Sequence, residues 1–226
     1  IMNYAQLILD GLDEERSEHE FAREIIRESE RVAEIVRNLL TFSRDERQHH
    51  SPARIETILE KTLSLVGAVM RHDRITLDVS LPDDLPAIKC RTQHIQQVLL
   101  NLLTNARYAL NAKYDGYDPG KRIGIRAELF LEDERRWVRL RIRDEGIGIP
   151  HDVQARMFDP FYTTKPRETG TGLGLSISHG IVREHHGRLR VESEPDLYTE
   201  MILELPVDNG WQLDGDGDRE SFASEA

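Results

Sequence analysis

Asp144-Glu145-Gly146-Ile147-Gly148-Ile149 and, further on, Gly170-Thr171-Gly172-Leu173-Gly174-Leu175 are the stretches that decide the fold. The first follows Trp137 to Arg143, whose alternation reads as a strand, and the second opens Leu173 to Glu184, which reads as a helix. Glycines at such junctions let the backbone approach a ligand closely and adopt positive φ. A glycine-rich turn feeding a helix offers unpaired N–H groups and a positive dipole end to phosphate. A single Gly-x-Gly is more often an ordinary turn than a site. Two, ordered strand-to-loop and loop-to-helix, weigh against the ordinary-turn reading. Neither ends in the Gly-Lys-Ser/Thr of a Walker P-loop, and the spacing from Gly170 to Gly174 is not that of a dinucleotide fingerprint.

Working outward, Asn101-Leu102-Leu103-Thr104-Asn105-Ala106 lies upstream in a segment with a strong apolar stripe: Ile95, Val98, Leu99, Leu102, Leu103, Ala106, Ala109 and Leu110. Asn101 and Asn105 are four residues apart, so they share one helix face. The bland reading is two solvated amides. Against it, the turn around them is apolar, buried amides need partners, and a carboxamide oxygen is a neutral, hard ligand suited to Mg²⁺. Ile55 to Met70 has helical spacing and Ile75 to Leu81 alternates as a strand. Thr92 is placed to cap the Asn-bearing helix. Ile123 to Phe130 and Trp137 to Arg143 form a hairpin that turns over Glu132 to Arg135. Asp144 to Thr171 reads mostly as loop, and Leu189 to Glu192 and Thr199 to Leu205 as two last strands. Helices mixed with hairpin-joined strands imply a layered α+β sandwich.

The beginning of the chain is different. Ile1 to Asp10 reads as a helix end with Gly11 as its stop, Asp13 to Glu20 turns the chain, and Phe21 to Arg44 reads as one long helix. A hairpin this thin buries little, so two copies are expected to pair as a homodimeric four-helix bundle. Ser51-Pro52 marks a boundary, and from Asp208 the chain is acidic and Gly-rich, as in a disordered tail or linker. The expected division is 1–50, 51–207 and 208–226.

Composition narrows the function. The formal net charge of -11 argues against a nucleic-acid partner, because phosphate backbones reward clustered Lys and Arg. Cys90 is the only cysteine, which excludes a disulfide framework and fits a reducing, cytoplasmic setting. No apolar run approaches the roughly 20 residues of a membrane span. The sequence opens at Ile1 and reads as a fragment, so any membrane attachment is expected only through missing upstream segments.

Four motifs in order carry a family resemblance: Asn101 to Ala106, Asp144 to Ile149, Phe158-Asp159-Pro160-Phe161-Tyr162-Thr163-Thr164-Lys165, and Gly170 to Leu175. They resemble the N box, first glycine box, F box and second glycine box of sensor histidine kinases. The resemblance covers most of Ile88 to Leu205 and implies a GHKL (Bergerat-type) α/β sandwich with a mixed sheet and three helices. The preceding hairpin resembles half of the dimerisation and phosphotransfer domain.

The resemblance also implies roles. Asp144 is expected to accept a hydrogen bond from the adenine amine, with Gly146, Gly148 and Ile149 shaping the base pocket. Asn105 is expected to hold the Mg²⁺ of Mg·ATP, with Asn101 and Tyr108 beside it. Gly170, Thr171, Gly172, Leu173, Gly174 and Leu175 should frame the phosphates. Phe158, Thr164 and Lys165 should open a mobile lid, Lys165 being a candidate phosphate contact. A response-regulator receiver domain is the implied final acceptor of the phosphoryl group.

Three departures leave alternatives open. Many family members carry Lys or His soon after the second Asn, whereas here Arg107-Tyr108 follows Ala106, and Arg107 either substitutes or faces solvent. His185-His186-Gly187-Arg188 stands where two glycines are usual, and these histidines read as structural, without a metal. None of the nine histidines lies in a His-Glu-type acceptor box, so the acceptor is expected about two or three turns before Ile1. The hydrolytic GHKL relatives place a Glu at the position of Asn101, and an amide cannot act as that base. A kinase is therefore favoured over an ATPase clamp. A nucleotide-binding pseudokinase that signals by docking stays open.

Overall fold

The computed structural model describes residues 1–12, 18–26, 28–29, 50–166 and 170–208. The chain divides into two compact units, Ile1–Arg47 with Asp159–Leu173, and Gln48–Phe158 with Gly174–Ala226. In the first, α1 (Met2–Asp10) is followed by a helical stretch over residues 18–26. Helix is thus under way at residue 18, inside the stretch expected to turn the chain. Ala5, His19 and Ala22 are buried, whereas Tyr4, Leu7, Phe21 and Ile25 are exposed. The rest of the long helix expected to Arg44, and the acidic tail beyond Asp208, lie outside the described residues.

The second unit has the expected layers. Ile55, Ile58, Leu59, Thr62, Val66 and Met70 fall three or four apart and bury one face of α2 (Ile55–His72). The stripe read on the Asn-bearing helix buries α3 (Thr92–Lys113), with Ile95, Val98, Leu99, Leu103 and Leu110 at 0% exposure. Thr92 does not cap it. The N-cap is Arg91, whose N–H donates to His185 Nε2 at 3.1 Å.

These helices lie on a mixed five-stranded sheet, ordered β2 (Thr76–Ser80), β4 (Arg122–Glu132), β5 (Arg135–Asp144), β7 (Tyr198–Pro206), β6 (Arg188–Glu194). β2 runs parallel to β4, and the other neighbours are antiparallel. Ile123, Ile125, Val138, Leu140, Ile142, Met201 and Leu203 face the helices. A two-stranded sheet, β1 (Ser51–Ala53) against β3 (Ile88–Cys90), was not legible: three residues show no alternation, and Pro52 reads as a breaker although an edge strand accepts it. Two further helices complete the unit, the short α4 (His151–Gln154) and α5 (Gly174–Glu184).

The strands extend further than their apolar runs, because β4 and β5 pair through to Glu132 and Arg135 around a two-residue turn. Both turn residues are left-handed, Asp133 at φ 50 and Glu134 at φ 62, as a type I′ turn requires. Side chains there cost about 1 kcal/mol that glycine does not. Glu134→Gly is expected to raise unfolding stability by about 1 kcal/mol, read by urea denaturation. A loss of stability would show that the turn is not strained.

Candidate functional site

Alternation along β5 turns Arg143 outward and Asp144 toward the helices, leaving Asp144 only 3% exposed. Its Oδ1 accepts the Gly146 N–H at 2.9 Å. Burial pushes the carboxyl up to about 7, against the pull of that hydrogen bond and of the Lys113 and Arg143 charges. A Cβ on Gly146 would sit 2.6 Å from Ala109 Cβ and 2.7 Å from Asp144 Oδ1, so only glycine fits between the loop and α3. Gly148 has φ +66, and a Cβ there would lie 2.2 Å from the Glu194 carbonyl oxygen.

The loop between these glycines is pinned from two sides. The Ile147 N–H donates to Ala109 O at 3.3 Å, and Ile147 O accepts the Asp196 N–H at 2.8 Å. Lys113 Nζ donates to Glu145 O at 2.9 Å and to Asp196 O at 2.8 Å. The Ile149 N–H donates to Ser193 Oγ at 2.8 Å, and Gln154 Nε2 donates to Ile149 O at 2.7 Å. The sequence reading missed Lys113, Gln154 and Ser193. Only Lys113 left a signal, as a cation one turn past Ala109 at the end of an amphipathic helix.

The other end of α3 meets α5. Asn101 Nδ2 donates to Ser178 Oγ at 2.9 Å, and Ser178 is 1% exposed. A Cβ on Gly174 would fall 2.4 Å from Asn101 Oδ1, so this helix start must be glycine to admit the amide. Asn105 and Tyr108 follow on α3, both half-buried, and Leu175 packs on the core. The Phe158 ring stacks on His179 at 5.0 Å between centroids.

Arg107, partly exposed, is engaged by a neighbouring carboxylate. It donates to Asp73 Oδ2, joined there by Asn111 Nδ2 at 2.6 Å. Burial alone would raise the Asp73 carboxyl, but the bonds from Arg107, Asn111 and His72 outweigh it and hold it at about 2. Arg107 therefore locks the end of α2 to α3. His185 is structural, as expected. Its Nε2 accepts the Arg91 N–H, so Nδ1 carries the proton and donates to Ile181 O at 2.7 Å; burial pushes its pKa down to about 4.

The remaining site residues, Thr164 to Leu173, belong to the first unit. Within it, the Phe161 N–H donates to Gly172 O at 2.9 Å, and Gly172 has φ +67, with a Cβ there 2.4 Å from the Phe161 carbonyl carbon. The Gly170 N–H donates to Pro166 O at 3.0 Å, and the Lys165 N–H to Thr163 Oγ1 at 3.1 Å. The Leu173 N–H reaches Thr171 Oγ1 at 3.4 Å, and Thr164 is exposed.

Residues 90–209, more than half of the 226, match the family described as histidine kinase-, DNA gyrase B-, and HSP90-like ATPase. The chain belongs to this family. Among its relatives, sporulation kinase E of Bacillus subtilis (strain 168) is 32% identical over 183 residues, 81% of this chain and 23% of that protein. The signal transduction histidine-protein kinase AtoS of Escherichia coli (strain K12) is 32% identical over 188 residues, 83% of this chain and 29% of that protein. The chain thus spans about a quarter of the length of these relatives. The solved mycobacterial sensor histidine kinase MprB is 28% identical, with a TM-score of 0.55 over 70% of this chain and 97% of that one.

Membership in this ATPase family implies ATP binding, and two features of the chain fit a nucleotide. One is a buried carboxylate beside a glycine that a Cβ would displace; the other is an amide pair on α3 whose first member touches the glycine opening α5. Among the described residues no helix is long and apolar enough to cross a membrane.

The raised carboxyl of Asp144 sets a pH dependence. In the unfolded chain it ionises near the ordinary value of 3.8, in the folded chain near 7. The folded state therefore holds an extra proton between these values, and stability falls as pH rises through that window and levels off above it. Asp144→Asn has no such proton. Urea unfolding at about pH 4 and about pH 8 should show the variant gaining on the native chain by an amount on the order of 4 kcal/mol. A pH-independent difference would mean that Asp144 ionises normally.

Proposed function

We propose that this chain is the ATP-binding catalytic region of a sensor histidine kinase. It positions the γ-phosphate of Mg·ATP for attack by a histidine nitrogen, and an aspartate of a response-regulator receiver domain then takes the phosphoryl group. The observation that carries the reading is Asn101. Its amide is engaged with Ser178 and has no basicity at neutral pH, so the site holds ATP without a side chain there to activate water. Phosphate then waits for an imidazole, and catalysis rests on positioning and charge stabilisation. The names of the relatives, sensor and signal-transduction kinases, support the same assignment.

In this reading Asp144 accepts the adenine amine, while Gly146, Gly148 and Ile149 shape its surroundings. α3 measures the nucleotide: Ala109 lies under the base loop, and Asn105 and Asn101 lie about 6 and 12 Å back along the axis, toward the phosphates. Asn105 would supply the carboxamide oxygen for the metal, with Tyr108 beside it, and Mg²⁺ held there would supply neutralisation of phosphate charge. Gly170, Thr171, Gly172, Leu173, Gly174 and Leu175 frame the phosphates, and Phe158, Thr164 and Lys165 belong to the lid. Residues 51–207 form the catalytic domain, 1–50 part of the dimerisation domain, and 208–226 a tail or linker. The exposure of Tyr4 (76%), Leu7 (67%) and Phe21 (66%) supports pairing of the hairpin with a second copy. The region works in the cytoplasm.

Incubating the chain and its longer parent with γ-labelled Mg·ATP tests the reaction. Acid-labile, base-stable label on a parent histidine is expected, and ATP binding without such label in the parent would leave a docking pseudokinase instead. Separately, Asn105→Ala should weaken Mg·ATP binding by about tenfold while leaving metal-free ADP binding nearly unchanged. An equal loss for both ligands would remove Asn105 from the metal site. Asp144→Asn should lose nucleotide affinity in either case.

A further inference from the structure

On the outward face of the sheet, opposite Asp144, four arginines, Arg122, Arg126, Arg141 and Arg143, gather with three carboxylates, Asp78, Glu145 and Glu200. Pairing register places Arg126 directly across from Arg141, and Arg143 across from Gly124. Like charges facing each other across a strand pair destabilise it. Around Gly124 these arginines and Arg122 line a depression of about 240 Å³.

The ion pairing is incomplete. Arg141 NH1 donates to Glu200 Oε2 at 2.8 Å, and Arg122 stands 4.0 Å from Asp78. Among the described residues neither Arg126 nor Arg143 has a carboxylate within ion-pair distance. Arg143 is nonetheless held, its guanidinium carbon 3.7 Å from the centroid of the Tyr198 ring. Arg126 and Arg143 are diagonal neighbours on one face, with Cβ atoms about 7–8 Å apart, a span that two guanidinium forks close around one anion.

Gly124 is the second, independent observation. A Cβ there would meet nothing within 4 Å, so packing does not demand glycine, and its φ is not positive. Glycine inside a strand weakens it and often marks close approach by a ligand. Here it keeps the floor of the depression open.

We propose that this depression is an anion site distinct from the glycine-box region, taking a phosphate-bearing small molecule whose dianionic group is held between Arg126 and Arg143 over Gly124. Glu145, whose carboxylate pairs with no cation among the described residues, stands at the rim and sets the affinity against excess negative charge. The proposal does not depend on the kinase reading.

Titration of the full chain with inorganic pyrophosphate, at ionic strength held constant with chloride and followed by amide and arginine Nε resonances, tests it. Saturable shifts are expected at Gly124, Arg126 and Arg143. Arg126→Gln with Arg143→Gln should weaken this binding at least about tenfold. Gly124→Val, which keeps every charge but fills the floor, should weaken it comparably, and Glu145→Gln should tighten it. Asp144→Asn should leave it unchanged. Shifts that fail to saturate, that chloride reproduces, or that persist with equal affinity in the double arginine variant would overturn the proposal.

Discussion

The arrangement around Asp144 depends on how closely α3 approaches the end of β5. The Gly146 backbone rests against Ala109 with no room for a side chain, and the Ala109 carbonyl accepts the N–H of Ile147, the next residue of the same loop. This contact buries the Asp144 carboxylate and makes it costly to ionise. It also ties the loop to the same helix that carries Asn101 and Asn105. The loop after β5 and both α3 amides are therefore placed by one rigid rod, and the apolar stripe of that rod is what fixes it on the sheet.

Lys113 and Arg107 act around that rod as fasteners. Lys113 gathers the carbonyls of Glu145 and Asp196, joining the loop after β5 to the turn between β6 and β7. Arg107 draws the end of α2 onto α3 through Asp73. Two cations on one helix are thus committed to backbone and carboxylate partners. Charge near a site is a poor guide to contact with its ligand until the competing partners are known.

The layers and most of the second unit were legible because long periodic elements dominate it. The α3 stripe and the β4–β5 alternation each repeat often enough to be unambiguous. Short elements were not legible: β1 and β3 have three residues each, too few to alternate. The glycine boxes were legible as glycine, but their partners were not, since Glu194 lies 46 residues after Gly148 and its carbonyl leaves no trace in side-chain pattern. The Asn101–Ser178 bond spans 77 residues and was hidden for the same reason. Thr92 is not the cap because it is already the first helical residue, with Arg91 in the extended N-cap position before it.

The Phe161–Gly172 hydrogen bond has an evolutionary side. It closes the segment between them at its base, with both closing residues in the left-handed region. Once the two ends of a loop are clasped, lengthening it costs little, roughly 0.6 kcal/mol for each doubling. Insertions and deletions between Phe161 and Gly172 therefore leave the clasp itself intact. The fixed point is Gly172, where a Cβ would fall 2.4 Å from the Phe161 carbonyl carbon and force the clasp apart.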